Sequence, residues 1–292
     1  MALELDDASV TAAFPEYVIQ GGKLGNAGFK AVYRVHTVGG TELALKIVRE
    51  PIQNDESGEG SPDLLRFARE VEAMTSVSHP HIISINDAPG QRQIGVASHW
   101  WYTERFCERG TLADLLAAGG GGETVARQLL EEMLDALDHL SSVHEMVHRD
   151  IKPDNIGIGA LGEMILLDLG ILVDLRLERI TNTYAPSPLS IPWAAPEQIT
   201  AIRANGIDTR TDLFQLGVVA FQTLTGTHPF YEGLTSVSDP IRLIDAFDPS
   251  VMDGYTGDVG VRRLIARCLR TSQNARPRSP RAALAILNGG LS

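Results

Sequence analysis

An α+β fold in two unequal parts, a small β-rich part followed by a larger helical one, is what the hydrophobic patterning of the chain predicts. Residues 17 to 50 hold alternating or β-branched runs separated by Gly-rich turns. Beyond residue 110 or so the runs take on helical periodicity, and the change of character falls at residues 104 to 110.

The elements follow in order. YVIQGGKL (17–24), AVYRVHT (31–37) and TELALKIV (41–48) read as a meander of antiparallel strands. The acidic, Gly/Ser/Pro-containing stretch EPIQNDESGEGSPD then reads as a loop whose SPD end caps a helix through LLRFAREVEAMTSV. Leu64, Phe67, Val71 and Met74 share one face of that helix. Further strands cover 82–105. TLADLLAA and TVARQLLEEMLDALDHLSSVH are helical, joined by a flexible GGGG at 119–122, and the remainder is largely helical. The exception is IGIGALGEMILLD, where two short β-rich pieces flank a turn at Leu161 and Gly162.

Composition sets the class. With 292 residues, 43% of them hydrophobic and 21% charged, the chain can bury a core and lacks the signature of disorder. A formal charge of −12 argues against nucleic acid as a partner, since phosphate-binding surfaces are basic. Cys107 and Cys268 are too few and too distant in sequence for a disulfide framework or a zinc site, which points to the cytoplasm. The first basic residue is Lys23, so the start does not read as a signal peptide, and the most apolar segments are too short and polar-interrupted to span a membrane.

The chemistry concentrates in VHRDIKPDNIGIGALGEMILLDLG, residues 147 to 170. Asp150, Asn155 five residues on and Asp168 thirteen beyond that would supply a hydroxyl-orienting base and two oxygen ligands for a hard divalent cation, the set that Mg-ATP chemistry needs. Asp150 alone reads equally as a turn or cap residue. Asp168 is harder to dismiss, because a carboxylate after MILL is costly to bury unless a cation meets it or it faces a cleft.

HRDIKPDN at 148–155, DLG at 168–170 and APE at 195–197, in that order and spacing, resemble the catalytic loop and activation segment of eukaryotic-type Ser/Thr protein kinases, with wording closest to bacterial members. The resemblance spans nearly the whole chain and implies a single bilobal kinase domain over 1–292. Its N-lobe (15–106) is a small antiparallel sheet with helix C, its C-lobe (107–292) is mainly helical, and the activation segment is 168–197. It implies ATP and Mg²⁺ as cofactors, with Mn²⁺ the alternative metal, protein substrates with Ser/Thr acceptors, and autophosphorylation through self-association. Asp150 then orients the acceptor hydroxyl, Lys152 stabilises charge on the transferring phosphoryl group, and Asn155 and Asp168 hold the metal.

LALK at 43–46 matches the family's VAIK strand, so the resemblance assigns Lys46 to the α- and β-phosphates, held in place by Glu70 of FAREVEAM. Glu72 lies about 200° around the helix from Glu70 and is assigned to solvent. LGNAGFKAVY at 24–33 matches the glycine-rich hairpin with Gly25 and Val32 in place, while Ala27 and Lys30 stand where the second and third glycines belong. Lys30 reads as a solvent-pointing side chain or as a charge near the triphosphate. Leu24, Gly25, Ala27, Gly28 and Val32 are the implied hairpin contacts, and Val32 and Ala44 sandwich adenine. Taking Glu104 as the first hinge residue makes Thr103 the gatekeeper, with backbone groups near Phe106 or Cys107 meeting the base, in a segment one residue longer than usual. Thr181, Thr183, Tyr184, Ser187 and Ser190 are the candidate modification sites of the activation segment, with Arg149 as the residue to pair a phosphate. Asp212 resembles the aspartate that holds the catalytic loop's backbone, and Arg276 the partner of Glu197. The altered hairpin keeps open a second reading, a pseudokinase acting as a nucleotide-binding scaffold, and a third is a small-molecule phosphotransferase.

Overall fold

The computed structural model describes residues 5–27, 29–52, 62–169, 173–174, 191–200, 206–231 and 240–290. The chain divides into two compact units, the first made of residues 1–78 and 83–107, the second of 79–82 and 108–292.

In the first unit the strands β1 (Tyr17–Ala27), β2 (Lys30–Thr37), β3 (Glu42–Val48), β4 (Ile85–Ile94) and β5 (Ala97–Arg105) form one antiparallel sheet in the order β1-β2-β3-β5-β4. Because side chains alternate along a strand, the register sorts them onto two faces. Ala31, Tyr33, Val35, Leu43, Leu45, Ile47 and Trp101 form an apolar face. It is covered by a short helix absent from the sequence reading, α1 (Asp7–Ala13), whose Val10, together with Phe14 just beyond its end, is wholly buried there. Asp6 caps α1 by accepting the Ser9 N–H at 2.8 Å. Phe14 meets Trp101 edge-on, ring centroids 5.1 Å apart, and the Arg92 guanidinium lies 4.8 Å from the Phe14 centroid. Two fully buried side chains of this core, Val10 and Phe14, thus lie ahead of residue 15.

The opposite face carries Lys30, Val32, Ala44, Lys46, Val48, Tyr102 and Glu104. Helix α2 (Pro62–Ser76) brings Phe67, Glu70 and Met74 inward, with Phe67 against the rings of Trp100 and Tyr102, and leaves Glu72 exposed.

The second unit is built on α4 (Glu123–Val143), which buries Leu129, Leu130, Met133, Leu134, Leu137 and Leu140 on its 3.6-residue stripe. It follows α3 (Leu112–Ala117), whose Thr111–Asp114 capping box satisfies the first turn. The glycines at 119–122 that read as flexible are held tightly: the Gly122 N–H donates to the Thr223 carbonyl at 2.8 Å, and a Cβ on Gly121 would stand 2.7 Å from the same oxygen. After α5 (Pro196–Thr200) comes α6 (Thr209–Thr225), buried along most of its length against α4. Beyond α7 (Pro240–Ala246), α8 (Val259–Cys268) packs on α6, and α9 (Pro280–Leu287) packs on α4 and α8. Two small ladders, β6 (Met146–Val147) with β9 (Val173–Asp174) and β7 (Ile156–Ile158) with β8 (Met164–Leu166), bracket the segment rich in charge. Among the described residues no helix is long and apolar enough to cross a membrane.

Helices α6 and α8 approach closely because position 217 has no side chain. A Cβ on Gly217 would lie 2.6 Å from the Cβ of Cys268, well inside contact distance. Gly217→Val is expected to lower unfolding free energy by about 1–3 kcal/mol through overpacking, read as a reduced urea midpoint with an unchanged slope.

Candidate nucleotide and catalytic site

In the second unit, residues 148–155 form the connection between β6 and β7, and its shape rests on side chains from α5 and α6. Asp212, one turn into α6, accepts the backbone N–H groups of His148 at 2.8 Å and Arg149 at 2.7 Å. Gln215, three residues along the same helix face, accepts the Ile151 N–H at 3.0 Å and donates to the Arg149 carbonyl at 3.1 Å. Gln198 of α5 donates to that same carbonyl at 2.9 Å. These bonds hold Arg149 at φ 72°, a conformation that L side chains seldom adopt and that the surroundings must enforce. The sequence reading anticipated Asp212 and missed both glutamines; the i, i+3 spacing of Gln215 from Asp212 was the signal to follow.

Two of the expected catalytic residues, Asp150 and Lys152, and one expected metal ligand, Asn155, come together on this loop. Asp150 is 5% exposed, and its Oδ2 accepts from Lys152 Nζ and from Asn155 Nδ2, each at 3.0 Å. Asn155 Nδ2 also donates to the Asp150 carbonyl at 2.8 Å, so its amide nitrogen is committed and its Oδ1 is the atom left to ligate. Asp168 is tied in through the backbone, since the Leu167 N–H donates to the Asn155 carbonyl at 2.8 Å and the Leu167 carbonyl bonds His148 Nε2 at 3.0 Å. Asp168 itself sits at φ 57°, a second strained position beside the first.

This donor set fits a hard divalent cation. One amide oxygen and one carboxylate are offered, with no cluster of three or more His, Cys, Asp or Glu suited to a metal among the described residues. Magnesium is held in this manner, by one or two carboxylates completed by substrate phosphates.

In the first unit the expected partners are exchanged. Glu70, fully buried on α2, was assigned to Lys46, but its two oxygens are taken by Lys30, and Tyr102 donates its hydroxyl to Oε1 at 2.9 Å. Lys30 is 1% exposed, which overturns the reading of a solvent-pointing residue. Its parity with Val32 on β2 explains this: both face the side of the sheet that α2 packs against. Lys46 pairs instead with Glu104 at 2.6 Å, and burial pushes the Glu104 carboxyl above its ordinary range while Lys46 pulls it back.

The gatekeeper expectation is corrected in the same way. Ala44 stands opposite Glu104, and Leu45 opposite Thr103, so Glu104 shares the face of Ala44 and Lys46 while Thr103 is turned to the other side. There Thr103 donates its hydroxyl to Asp87, which also accepts from the Tyr17 hydroxyl at 2.7 Å. Gly25 and Ala27 lie on β1 opposite Val32 and Lys30, Leu24 is 55% exposed, and Phe106, half-buried beside Cys107, stacks under Arg34 at 4.8 Å. Gly28, Thr181, Thr183, Tyr184, Ser187 and Ser190 lie outside the described residues.

Further from the chemistry, Arg276 grips Glu197 of α5 through two bonds of 2.7 and 3.0 Å, as the sequence suggested, and Thr211 donates to the same carboxylate at 2.8 Å.

Comparison with known proteins places these features. The model of the protein kinase domain matches residues 18–285. The chain belongs to the protein kinase family. Relatives include the serine/threonine-protein kinase PrkC of Bacillus subtilis, 31% identical over 78% of this chain and 33% of that protein. The probable serine/threonine-protein kinase PknB of Lactococcus lactis is 27% identical over 79% of this chain and 35% of its own length. The serine/threonine-protein kinase pkn2 of Myxococcus xanthus is 29% identical over 92% of this chain and 32% of its own. The chain thus spans about a third of the length of these relatives. Family membership implies the use of ATP and a divalent metal ion.

Burial outweighs the two backbone N–H donors and raises Asp212 to about 6 from its ordinary 3.8. A group whose folded value is raised contributes most below the unfolded value and loses that contribution as pH climbs through the folded one. Asp212→Ala leaves two buried N–H groups without an acceptor, about 1–3 kcal/mol each. Urea unfolding should show that loss at pH 7, and the gap to the parent chain should widen as pH is lowered from 6 toward 4.

Proposed function

We propose that this chain transfers the γ-phosphate of ATP to serine or threonine hydroxyls of proteins. The observation that carries the reading is the Asp150 carboxylate, fixed on one oxygen by Lys152 and Asn155 in a loop whose backbone is clamped by Asp212, Gln198 and Gln215.

The second oxygen of Asp150 orients the acceptor hydroxyl and takes its proton late in the transfer. Lys152, already beside Asp150, meets the charge of the phosphoryl group in flight. Asn155 Oδ1 and Asp168 would hold Mg²⁺, which neutralises phosphate charge when bound. From the first unit, Val32 and Ala44 present small apolar surface to the base, Phe106 and Cys107 present backbone groups, and the buried lysines present positive charge. Specificity for Ser/Thr is supported by Lys152, by resemblance, and by the relatives, which are serine/threonine-protein kinases by name. The same names support a proposal of protein substrates, and the resemblance of the motifs extends it to autophosphorylation through self-association and, with the cysteine usage, to a cytoplasmic site of action.

A second reading, a nucleotide-binding scaffold, is favoured by one observation, the diversion of Lys46 to Glu104. Transfer of label from γ-labelled ATP to a Ser/Thr protein substrate separates the two. Asp150→Ala is expected to lower the rate about 10²–10⁴-fold and Asp168→Ala by at least as much, with nucleotide still bound by the former. Labelling that is absent in the parent chain, or unchanged in Asp150→Ala, would leave the scaffold.

A further inference from the structure

Two lysines and Glu104 on one face of the sheet meet Glu70 of α2, and although the four charges lie close enough to act on one another, each lysine bonds a different glutamate. Lys30 bonds both oxygens of Glu70 and reaches the Tyr102 hydroxyl at 3.3 Å; that hydroxyl in turn donates to Glu70, which closes a triangle of buried polar groups. Lys46 bonds Glu104. Protein kinases require a sheet lysine anchored by the glutamate of the helix, because a phosphate contact is useful only when the ammonium is already in place. Here Glu70 supplies that anchorage to Lys30.

Register adds a second argument. Lys30 opens β2 opposite Ala27, at the hairpin end of the sheet, where the glycine-rich segment turns over. Lys46 stands further along, opposite Val32 and Tyr102, and its ammonium is drawn toward Glu104, the neighbour of Ala44. In the kinase family the glycine-rich hairpin covers the phosphates, which makes the hairpin end of this face the phosphate end, while Ala44 marks the adenine end. We propose that Lys30, anchored by Glu70 and Tyr102, is the lysine that contacts the phosphates of the bound nucleotide, and that Glu104 holds Lys46 at the adenine end. This rests on nucleotide binding in the proposed function, but not on phosphoryl transfer.

Binding measured on the whole chain tests it without catalysis. The probes are a fluorescent N-methylanthraniloyl ATP and the corresponding adenosine, which lacks phosphates. Lys30→Met is expected to weaken the ATP probe roughly 10- to 100-fold, the worth of one charge-assisted bond, and to leave the adenosine probe within threefold. Lys46→Met should change the ATP probe less than Lys30→Met does. Since Lys30→Met leaves a buried carboxylate unpaired, Lys30→Met/Glu70→Met, which removes both charges, guards against loss of folding and should show the same loss for the ATP probe.

If the double variant binds the ATP probe like the parent while Lys46→Met loses the 10- to 100-fold, Lys30 and Glu70 are a structural pair and the inference is overturned. It is also overturned if both probes weaken equally, or if the parent binds no ATP probe. A parent chain that shows the Lys30 dependence yet labels no protein substrate supports the inference and removes only the catalytic reading.

Discussion

The second unit depends on one buried carboxylate at the start of a buried helix. Left alone, the loop after β6 would not turn through a left-handed residue at Arg149, and its amides would have no acceptors in a space that excludes water. Asp212 answers both needs with one group, at the cost of its own desolvation. Gln215 and Gln198 then close on the single carbonyl that the strained residue presents. The rigidity of the Asp150 carboxylate is inherited from this scaffold, and so is its spacing to Asn155.

The first unit solves a different problem, the burial of four charges on one sheet face. Each ion carries a desolvation penalty of several kcal/mol, recovered only when geometry and extra hydrogen bonds are good. Lys30 meets that condition through a two-oxygen contact supplemented by a tyrosine hydroxyl, whereas Lys46 bonds one oxygen of Glu104 and the other oxygen is buried without a hydrogen bond, in keeping with the raised carboxyl. The exchange of partners follows from placing a lysine where a glycine would otherwise stand. Lys30, being on the same face as Val32, reaches the helix carboxylate, and Lys46 finds a carboxylate on β5.

Much of this was legible in the residues. Strand and helix boundaries fell close to expectation because alternation and 3.6-residue spacing are strong in TELALKIV and in the α4 stripe, and HRDIKPDN marked the loop on which Asp150, Lys152 and Asn155 meet. Three things were not. Helix α1 is about two turns of small and polar residues with a single buried valine, too short for periodicity to register. The glycines at 119–122 give no local hint that a carbonyl from α6 approaches them. The Lys30 pairing needed partner identities from a helix forty residues away, which parity along β2 narrows to a face and cannot name. The hinge register failed for a related reason: the extra residue can be absorbed on either side of Glu104, and only pairing with Ala44 decides which way Thr103 turns.

Helix α1 lies ahead of residue 18, where the family match begins, yet its Val10 and the following Phe14 are sealed beneath the sheet with Tyr33, Leu45 and Trp101. Trimming to the matched limits would uncover that greasy platform, with the Arg92 guanidinium stranded where it now lies over Phe14. For this chain the expressible unit is therefore wider than the homologous one, and solubility screening that starts from alignment edges alone would begin in the wrong place.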